Sequence, residues 1–190
     1  MALTLLHLAL AGWFLYCLWR VATSPRNAVQ VGTEVSAKCP VESAFGTYMK
    51  VREFYLQLSP GHKKYEMQGH ALTPDTIIEV WEEAGFQLVK HKYRVIELVP
   101  RERMRLVSEA SQVRVLGLFH GQSRSEVEFR FRSIGTSECS LGLSICIVFP
   151  NRLRHLLARL FFTEAIWQRH AEQEMAALAR VVELRQVRVA

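Results

Sequence analysis

His170 and Glu174 stand four residues apart within 161–182, a segment that reads FFTEAIWQRHAEQEMAALARVV. On a helix, positions three and four apart share a face. Ile166, His170, Glu174, Ala177, Leu178 and Val181 therefore form one stripe, apolar except for an imidazole and a carboxylate. A carboxylate among apolar neighbours is costly unless something compensates its charge. A metal ion, a proton-sharing histidine or a polar ligand would each serve. The plainer alternative is a structural His–Glu hydrogen bond along one helix, worth a few tenths of a kcal/mol.

The elements that must position this pair follow from hydrophobic periodicity. Val29, Val31, Thr33, Val35 and Ala37 alternate with polar or small residues, as a half-buried strand does. Pro40 is suited to open a helix, and helical spacing continues through Val41, Ala44, Phe45, Tyr48, Met49, Val51 and Phe54 to the turn Ser59-Pro60-Gly61. Strand patterns follow at 76–82, 88–99, 104–107, 113–119, 125–133 and 137–149, and Pro150 closes the last. From 152 to about 184 the pattern is one long helix. Strands do not alternate with helices, which argues against a parallel sheet. The expected fold class is α+β, with a curved antiparallel sheet wrapped around a long C-terminal helix and a cavity between them.

Residues 2–19 carry no charge apart from His7, and Arg20 ends the run. About 18 helical residues span roughly 27 Å, enough for the hydrocarbon core of a bilayer. Trp13, Tyr16 and Trp19 gather toward one end, as an interfacial belt does. The start has no basic residue and Trp19-Arg20-Val21 is a poor cleavage site, so a retained anchor is favoured over a secretory signal. Arg20 and Arg26 then place the C-terminal domain in the cytoplasm as a single-pass protein. The expected division is an anchor over 1–20, a linker over 21–27, a ligand-binding domain over 28–186 and a tail over 187–190.

Net charge is +6 among 190 residues, yet the basic residues are scattered and no Lys/Arg run carries interleaved aromatics. That argues against nucleic acid and suits an anionic lipid surface. Arg152, Arg154 and Arg159 read as a solvated or lipid-facing edge, and no protein partner is indicated. Cys17, Cys39, Cys139 and Cys146 lack metal-type spacing and read as free apolar thiols. There is no phosphate-cradling glycine loop, no Gly-x-Ser-x-Gly and no HExxH.

The segment Val35-Ser36-Ala37-Lys38-Cys39-Pro40-Val41-Glu42-Ser43-Ala44-Phe45, running from a first strand into Pro-x-Glu-x-x-Phe, resembles the START-like helix-grip superfamily (SRPBCC: polyketide cyclase, dehydrase and lipid-transport relatives). The long last helix is the second likeness. The resemblance implies a cavity for a small apolar, aromatic or amphipathic ligand. A narrower likeness joins Ser59-Pro60-Gly61-His62-x-x-Tyr65, Glu82-Glu83-Ala84-Gly85 and His170-x-x-x-Glu174. It resembles the zinc-dependent diacetylphloroglucinol and phloretin hydrolases, which cleave a carbon–carbon bond beside an aryl ketone with two His and two Glu on one metal. Carried onto this chain, the metal ligands are His62, Glu82, His170 and Glu174.

Each upstream residue has an alternative. Ile78, Val80 and Glu82 share one strand face, while the opposite register would turn Glu79 inward and a bulge before Gly85 would turn Glu83 inward. His62 also reads as an exposed loop histidine beside Lys63-Lys64, with His70 as its substitute. Two imidazoles and two carboxylates suit Zn²⁺, with manganese or iron as further fits. His91 shares strand parity with Tyr93, and His91, Tyr65 or Tyr93 would supply acid–base help. His7, His120 and His155 read as incidental. The readings are a membrane-tethered domain with metal-dependent hydrolase chemistry, a non-enzymatic carrier or sensor of a lipid, quinone or polyketide, or a structural module.

Overall fold

The computed structural model describes residues 2–187. Among them seven strands form one antiparallel sheet in the order β1-β7-β6-β5-β4-β3-β2. The strands are β1 (Ala28–Ala37), β2 (His62–Met67), β3 (Ile77–Ala84), β4 (Gln87–Val99), β5 (Arg103–Val115), β6 (Phe119–Ser133) and β7 (Cys139–Val148). The helices are α1 (Ala2–Thr23), α2 (Val41–Tyr48), α3 (Tyr55–Leu58), α4 (Arg152–Leu160) and α5 (Thr163–Val187). The sheet meanders from β2 to β7, and β1 returns to pair with β7 from Ala28↔Val148 to Ala37↔Cys139. Helix α5 lies across the sheet against β1, β3 and β7 and also touches α2 and α3. This is the α+β helix-grip architecture expected from the periodicity.

Alternation places the core. Ile78, Val80 and Glu82 of β3 are buried, as are Val127, Phe129 and Phe131 of β6 and Leu141, Leu143, Ile145 and Ile147 of β7. Trp167, His170, Ala171, Glu174, Met175, Leu178 and Val182 of α5 close on them. The buried stripe of α5 is therefore rotated from the expected one. Ile166, Ala177 and Val181 are only half-buried, and Trp167, Ala171 and Met175 take the centre. A stripe wide enough to fill a curved sheet needs more than the i, i+4 line through His170.

Several boundaries differ from the sequence reading. The expected helix over 41–54 is α2, a 3-10 turn over Val51–Glu53, and α3. The long helix from 152 breaks at Phe161 and Phe162, where Phe162 takes a positive φ of 54°. Asn151 caps α4 by accepting from the Arg154 N–H at 2.9 Å. The separate runs 104–107 and 113–119 are largely one strand, β5, with an irregularity between Ser108 and Ser111. Strand β2 was not foreseen: its Lys-Lys-Tyr-Glu sequence carries little hydrophobic alternation, and pairing with β3 alone makes it a strand.

Helix α1 runs three residues beyond the expected 1–20, which shortens the linker, and α5 reaches into the expected tail. The remainder of that tail, 188–190, and Met1 lie outside the described residues. Over Leu3–Thr23, α1 is long and apolar enough to cross a membrane. Its C-terminal half rests on the domain: Cys17 and Val21 are buried, Trp13 stacks on Phe162 at 4.7 Å, and Arg20 pairs with Glu164 at 3.1 Å.

Two residues differ from the sequence reading: His155, expected to be incidental, and Arg159, expected on a solvated or lipid-facing edge. His155 is fully buried, stacks on Phe149, and accepts from Arg159 Nε at 2.9 Å. Arg159 is buried too and pairs with Glu164, so only Arg152 and Arg154 remain at an exposed edge. An arginine buries its stem readily when an acid waits at the end.

Candidate functional site

Three elements deliver four titratable side chains to one buried point. Strand β2 brings His62, β3 brings Glu82, and α5 brings His170 and Glu174, all within 9% of full burial. His62 pairs in register with Glu82 across β2 and β3. His62 Nε2 lies 3.9 Å from Glu82 Oε1 and 3.9 Å from Glu174 Oε2. The ligand atoms of His62, Glu82 and His170 all lie within 4.8 Å of one another. Strand β4 adds His91, whose Nε2 is 3.6 Å from Glu82 Oε2.

The turn before β2 explains why His62 is inside. The His62 N–H donates to Ser59 O at 3.0 Å, and Gly61 O accepts from the Glu83 N–H at 2.7 Å. A Cβ on Gly61 would sit 2.1 Å from Glu83 O and 3.3 Å from His170 Cε1. Only a residue without a side chain lets this loop press against β3 and the imidazole together. Gly85, at φ +56°, closes the β3–β4 turn beneath Ile166.

Hydrogen bonding fixes the imidazoles. The His62 Nδ1–H donates to the Tyr55 carbonyl at 2.8 Å, and its Nε2 faces both carboxyl groups. The Tyr55 ring also stacks on His62 at 4.0 Å, and its hydroxyl donates to Glu82 Oε1. His91 Nδ1 meets Ser111 Oγ at 2.8 Å, and Ser111 contacts Ser108 and Ser125 in turn. His170 lies edge-on to His62 and to Trp167, each at 5.3 Å. The Nε2 atoms of His62, His91 and His170 are all buried and have no hydrogen-bond partner.

Burial sets the charges. It pushes the Glu174 carboxyl up to about 8, and the nearby Glu82 adds to the push. Burial also pushes Glu82 upward, but His91, His62, His170 and the Tyr55 hydroxyl outweigh it and leave Glu82 below the ordinary carboxylate value. The two acids thus share one negative charge near neutrality. Burial pulls His91 down to about 4 and lowers His170, so both are neutral bases at pH 7.

The residues present fit a divalent ion. Three orphaned imidazole nitrogens facing two carboxyl groups form a set of N and O donors of the kind a divalent ion takes once the acids have lost their protons. Ligand atoms about 2.1 Å from one tetrahedral ion lie roughly 3.4 Å apart; here the His–Glu pairs stand at 3.6–3.9 Å and the trio His62, Glu82 and His170 within 4.8 Å, so small side-chain shifts would close them on an ion. The outer partner of His62, the Tyr55 carbonyl, fits as well, since a ligating histidine normally donates its other N–H to a carbonyl or carboxylate.

The other candidates fall elsewhere. Glu79 points outward to Lys64 at 2.8 Å, Glu83 pairs with Lys63 at 3.1 Å, and His70 is exposed. Tyr65 is half-buried, 4.8 Å from the Tyr55 ring, and burial raises its hydroxyl to about 12. Tyr93 is buried beside His91 at 4.7 Å, and burial raises it well above the usual tyrosine value. Both line a cavity of about 50 Å³ that Glu82, His91, Trp167 and Glu174 also face. Sequence reasoning missed Tyr55, Ser111 and Trp167. Tyr55 adjoins a residue assigned to a helix face, and a serine on a polar stretch carries no signal of its own.

No protein-family model and no curated protein matches the sequence. Solved structures do match in three dimensions. An aromatase/cyclase (Zhui) from Streptomyces sp. R1128 covers 83% of this chain and 95% of its own at 14% identity, with a TM-score of 0.59. Norcoclaurine synthase from Thalictrum flavum covers 82% and 86% at 15% identity, TM-score 0.55. A START superfamily protein from Mycobacterium smegmatis covers 82% and 98% at 13% identity, TM-score 0.56. At such identities the likeness is one of fold, and the narrower likeness to zinc hydrolases rests on the site residues alone. The chain thus shares the helix-grip fold of these structures, with a buried cluster of His and Glu at its centre.

Proposed function

We propose that the domain is a membrane-tethered, metal-dependent hydrolase acting on a small aromatic or apolar ketone, with zinc held by His62, Glu82, His170 and Glu174. The observation that carries this reading is the set of three buried imidazole nitrogens, all without partners, around two carboxylates. A divalent ion there would polarise a carbonyl oxygen and acidify a bound water. Cleavage of a carbon–carbon bond beside a ketone consumes one water and yields a carboxylic acid and a hydrogen-capped fragment.

The chain's own groups support that chemistry. The Tyr55 carbonyl orients His62 and the Tyr55 hydroxyl orients Glu82. His91 is neutral, with its Nε2 unpaired and beside Glu82, so it is placed to take up a proton and return it to the departing carbon. Tyr65 and Tyr93 stay protonated and act as donors toward a ligand oxygen. The walls of Ile78, Val80, Leu106 and Phe129 exclude bulk water. An aromatic ligand accords with the neighbour whose structure holds dopamine and hydroxybenzaldehyde. By the positive-inside rule, Arg20 and Arg26 put the domain, 28–186, on the cytoplasmic side of the anchor.

A second reading, a carrier or sensor of a lipid, quinone or polyketide, is favoured by one feature. A larger apolar chamber of about 310 Å³ adjoins the site through His91 and Trp167. Elemental analysis of the full chain, purified in detergent with a tag that binds no metal, separates the two. About one zinc, manganese or iron per chain, lost in a His170→Ala, Glu174→Ala variant, is the expected result. A folded, metal-free wild type would overturn the hydrolase reading and leave the carrier.

A further inference from the structure

The larger chamber lies between α4 and the β4–β6 face of the sheet, with Val89, Val113, Phe119, Leu157, Phe161 and Trp167 among its walls. Its inner end is shared with the site, because His91 and Trp167 face both cavities. Its outer end is marked by the exposed Phe119 and Leu157, at 55% and 37% of full exposure. A ligand entering there passes between the start of β6 and helix α4.

That end of the molecule is also where apolar side chains are left in the open. Leu116, Leu118, Phe119, Leu153, Leu157 and Phe162 are all exposed. They belong to one region: the Leu116 N–H donates to Phe86 O at 2.9 Å, and the rings of Phe86 and Phe119 lie 6.5 Å and 5.5 Å from Phe161. Two of the six sit where the backbone disfavours them, Leu116 at φ 53° and Phe162 at φ 54°. A turn in water would place Gly or Asn there. Such a patch marks an interaction surface.

Helix α1 says what covers it. Trp13 of α1 stacks on Phe162, and Arg20 pairs with Glu164 just beyond. With Arg20 at the headgroup level, Trp13 lies seven residues deeper, about 10 Å along the helix. Phe162, in contact with Trp13, is then at the depth of the acyl chains. Arg152 and Arg154 remain exposed on α4, and Arg154 reaches across the mouth to donate to His120 O at 3.1 Å. Cations at that level suit lipid phosphates.

We propose that the mouth of the chamber opens into the bilayer that α1 enters, so that the ligand is a membrane-dissolved amphipath. It moves sideways from the acyl layer between Phe119 and Leu157, its apolar body fills the chamber, and its polar head meets the site beyond His91. The inference rests on the anchoring reading of α1 and deepens the reading of the site by naming its ligand class.

The test uses the full chain in vesicles of phosphatidylcholine with a minor share of phosphatidylglycerol. A Cys146→Ala background carries an environment-sensitive fluorophore on Leu8→Cys, Leu118→Cys or Ile134→Cys, and doxyl-labelled lipid is the quencher. Ile134 is exposed at the far end of β6 and serves as the aqueous control. Quenching at Leu118→Cys several-fold above Ile134→Cys and comparable to Leu8→Cys is expected. Quenching at Leu8→Cys alone would overturn the membrane-facing mouth while sparing the anchor. That result would leave a protein partner to cover the patch. No quenching at either position would remove the anchor reading and this inference with it. Uptake of 1-aminoanthracene from the same vesicles reads the chamber itself. Phe119→Arg should reduce uptake at least five-fold with metal content unchanged, and Leu157→Arg provides a second barrier if the first fails to fold. Undiminished uptake in a folded variant would also overturn the route. Metal content, measured on each sample, reports separately on the site.

Discussion

Replacing Glu174 by Gln should stabilise the metal-free protein and weaken the metal-bound one. The carboxyl is buried, and its folded value stands at about 8 against an ordinary 4.5. A raised value means the folded state holds its proton while the unfolded chain loses it. The stability this group allows is therefore fully present below pH 4.5 and falls as pH rises toward 8. From 4.5 to 7 the loss accumulates at about 1.4 kcal/mol per pH unit, reaching about 3 kcal/mol at pH 7. Glutamine has the same shape and no charge to bury, so the variant escapes that loss. For a domain of this size about 3 kcal/mol is worth roughly 6–12 °C in Tm. His91, lowered to about 4, works in the opposite sense and costs stability as pH falls through 6.5, but it does so in both proteins and cancels in the difference. Thermal unfolding in detergent with a chelator, followed by circular dichroism at pH 5, 7 and 8, reads the effect directly. The advantage of the variant should be small at pH 5 and grow with pH. Saturating zinc should reverse the order, because binding stabilises only the protein that keeps its ligands. A metal-free variant less stable than wild type at pH 8 would refute the reasoning, since it would mean that Glu174 is ionised and paired with an imidazolium.

Two further perturbations probe the frame around the site. Gly61→Ala pushes a methyl against Glu83 O and His170 Cε1. It should cost about 2–4 kcal/mol and lower metal content, read by unfolding and elemental analysis on the same sample. Tyr55→Phe removes the hydroxyl that Glu82 accepts from while keeping the ring on His62. A loss of about ten-fold or more in zinc affinity by chelator competition is expected, with little change in fold.

The fold was legible where periodicity is strong. Alternation in β6 and β7 identified those strands and set their inward faces, and the apolar run of α1 identified that helix, whereas the inward face of β3 stayed open between Glu82 and Glu79. Glu82 lies on the inner face with Ile78 and Val80, one of the two registers that the sequence allowed. What failed is what tertiary contact decides. His62 lies on a strand whose own residues carry no strand signal, and its burial depends on the tight approach of Gly61 to β3. The break at Phe161 and Phe162 divides a sequence that is helical throughout, because the chain must turn from the sheet edge onto the sheet face. Arg159 looked like part of an exposed basic edge because its partner, Glu164, lies across that break, and His155 is buried against Arg159, which donates to it. Tyr55 and Ser111 act through neighbours distant in sequence, which no local pattern reports.

The pairing of β1 with β7 bears on how the protein is made. These strands join residues about a hundred positions apart, whereas every other pairing is a hairpin. Loop closure over such a length is slow, and β7 leaves the ribosome after the five strands that separate it from β1. With α1 emerging first, β1 must wait with an open edge close to the membrane while five strands are still being synthesised. During that interval the edge is free to pair with another nascent chain. Expression yield should therefore depend more on holding back that premature pairing than on the stability of the finished domain.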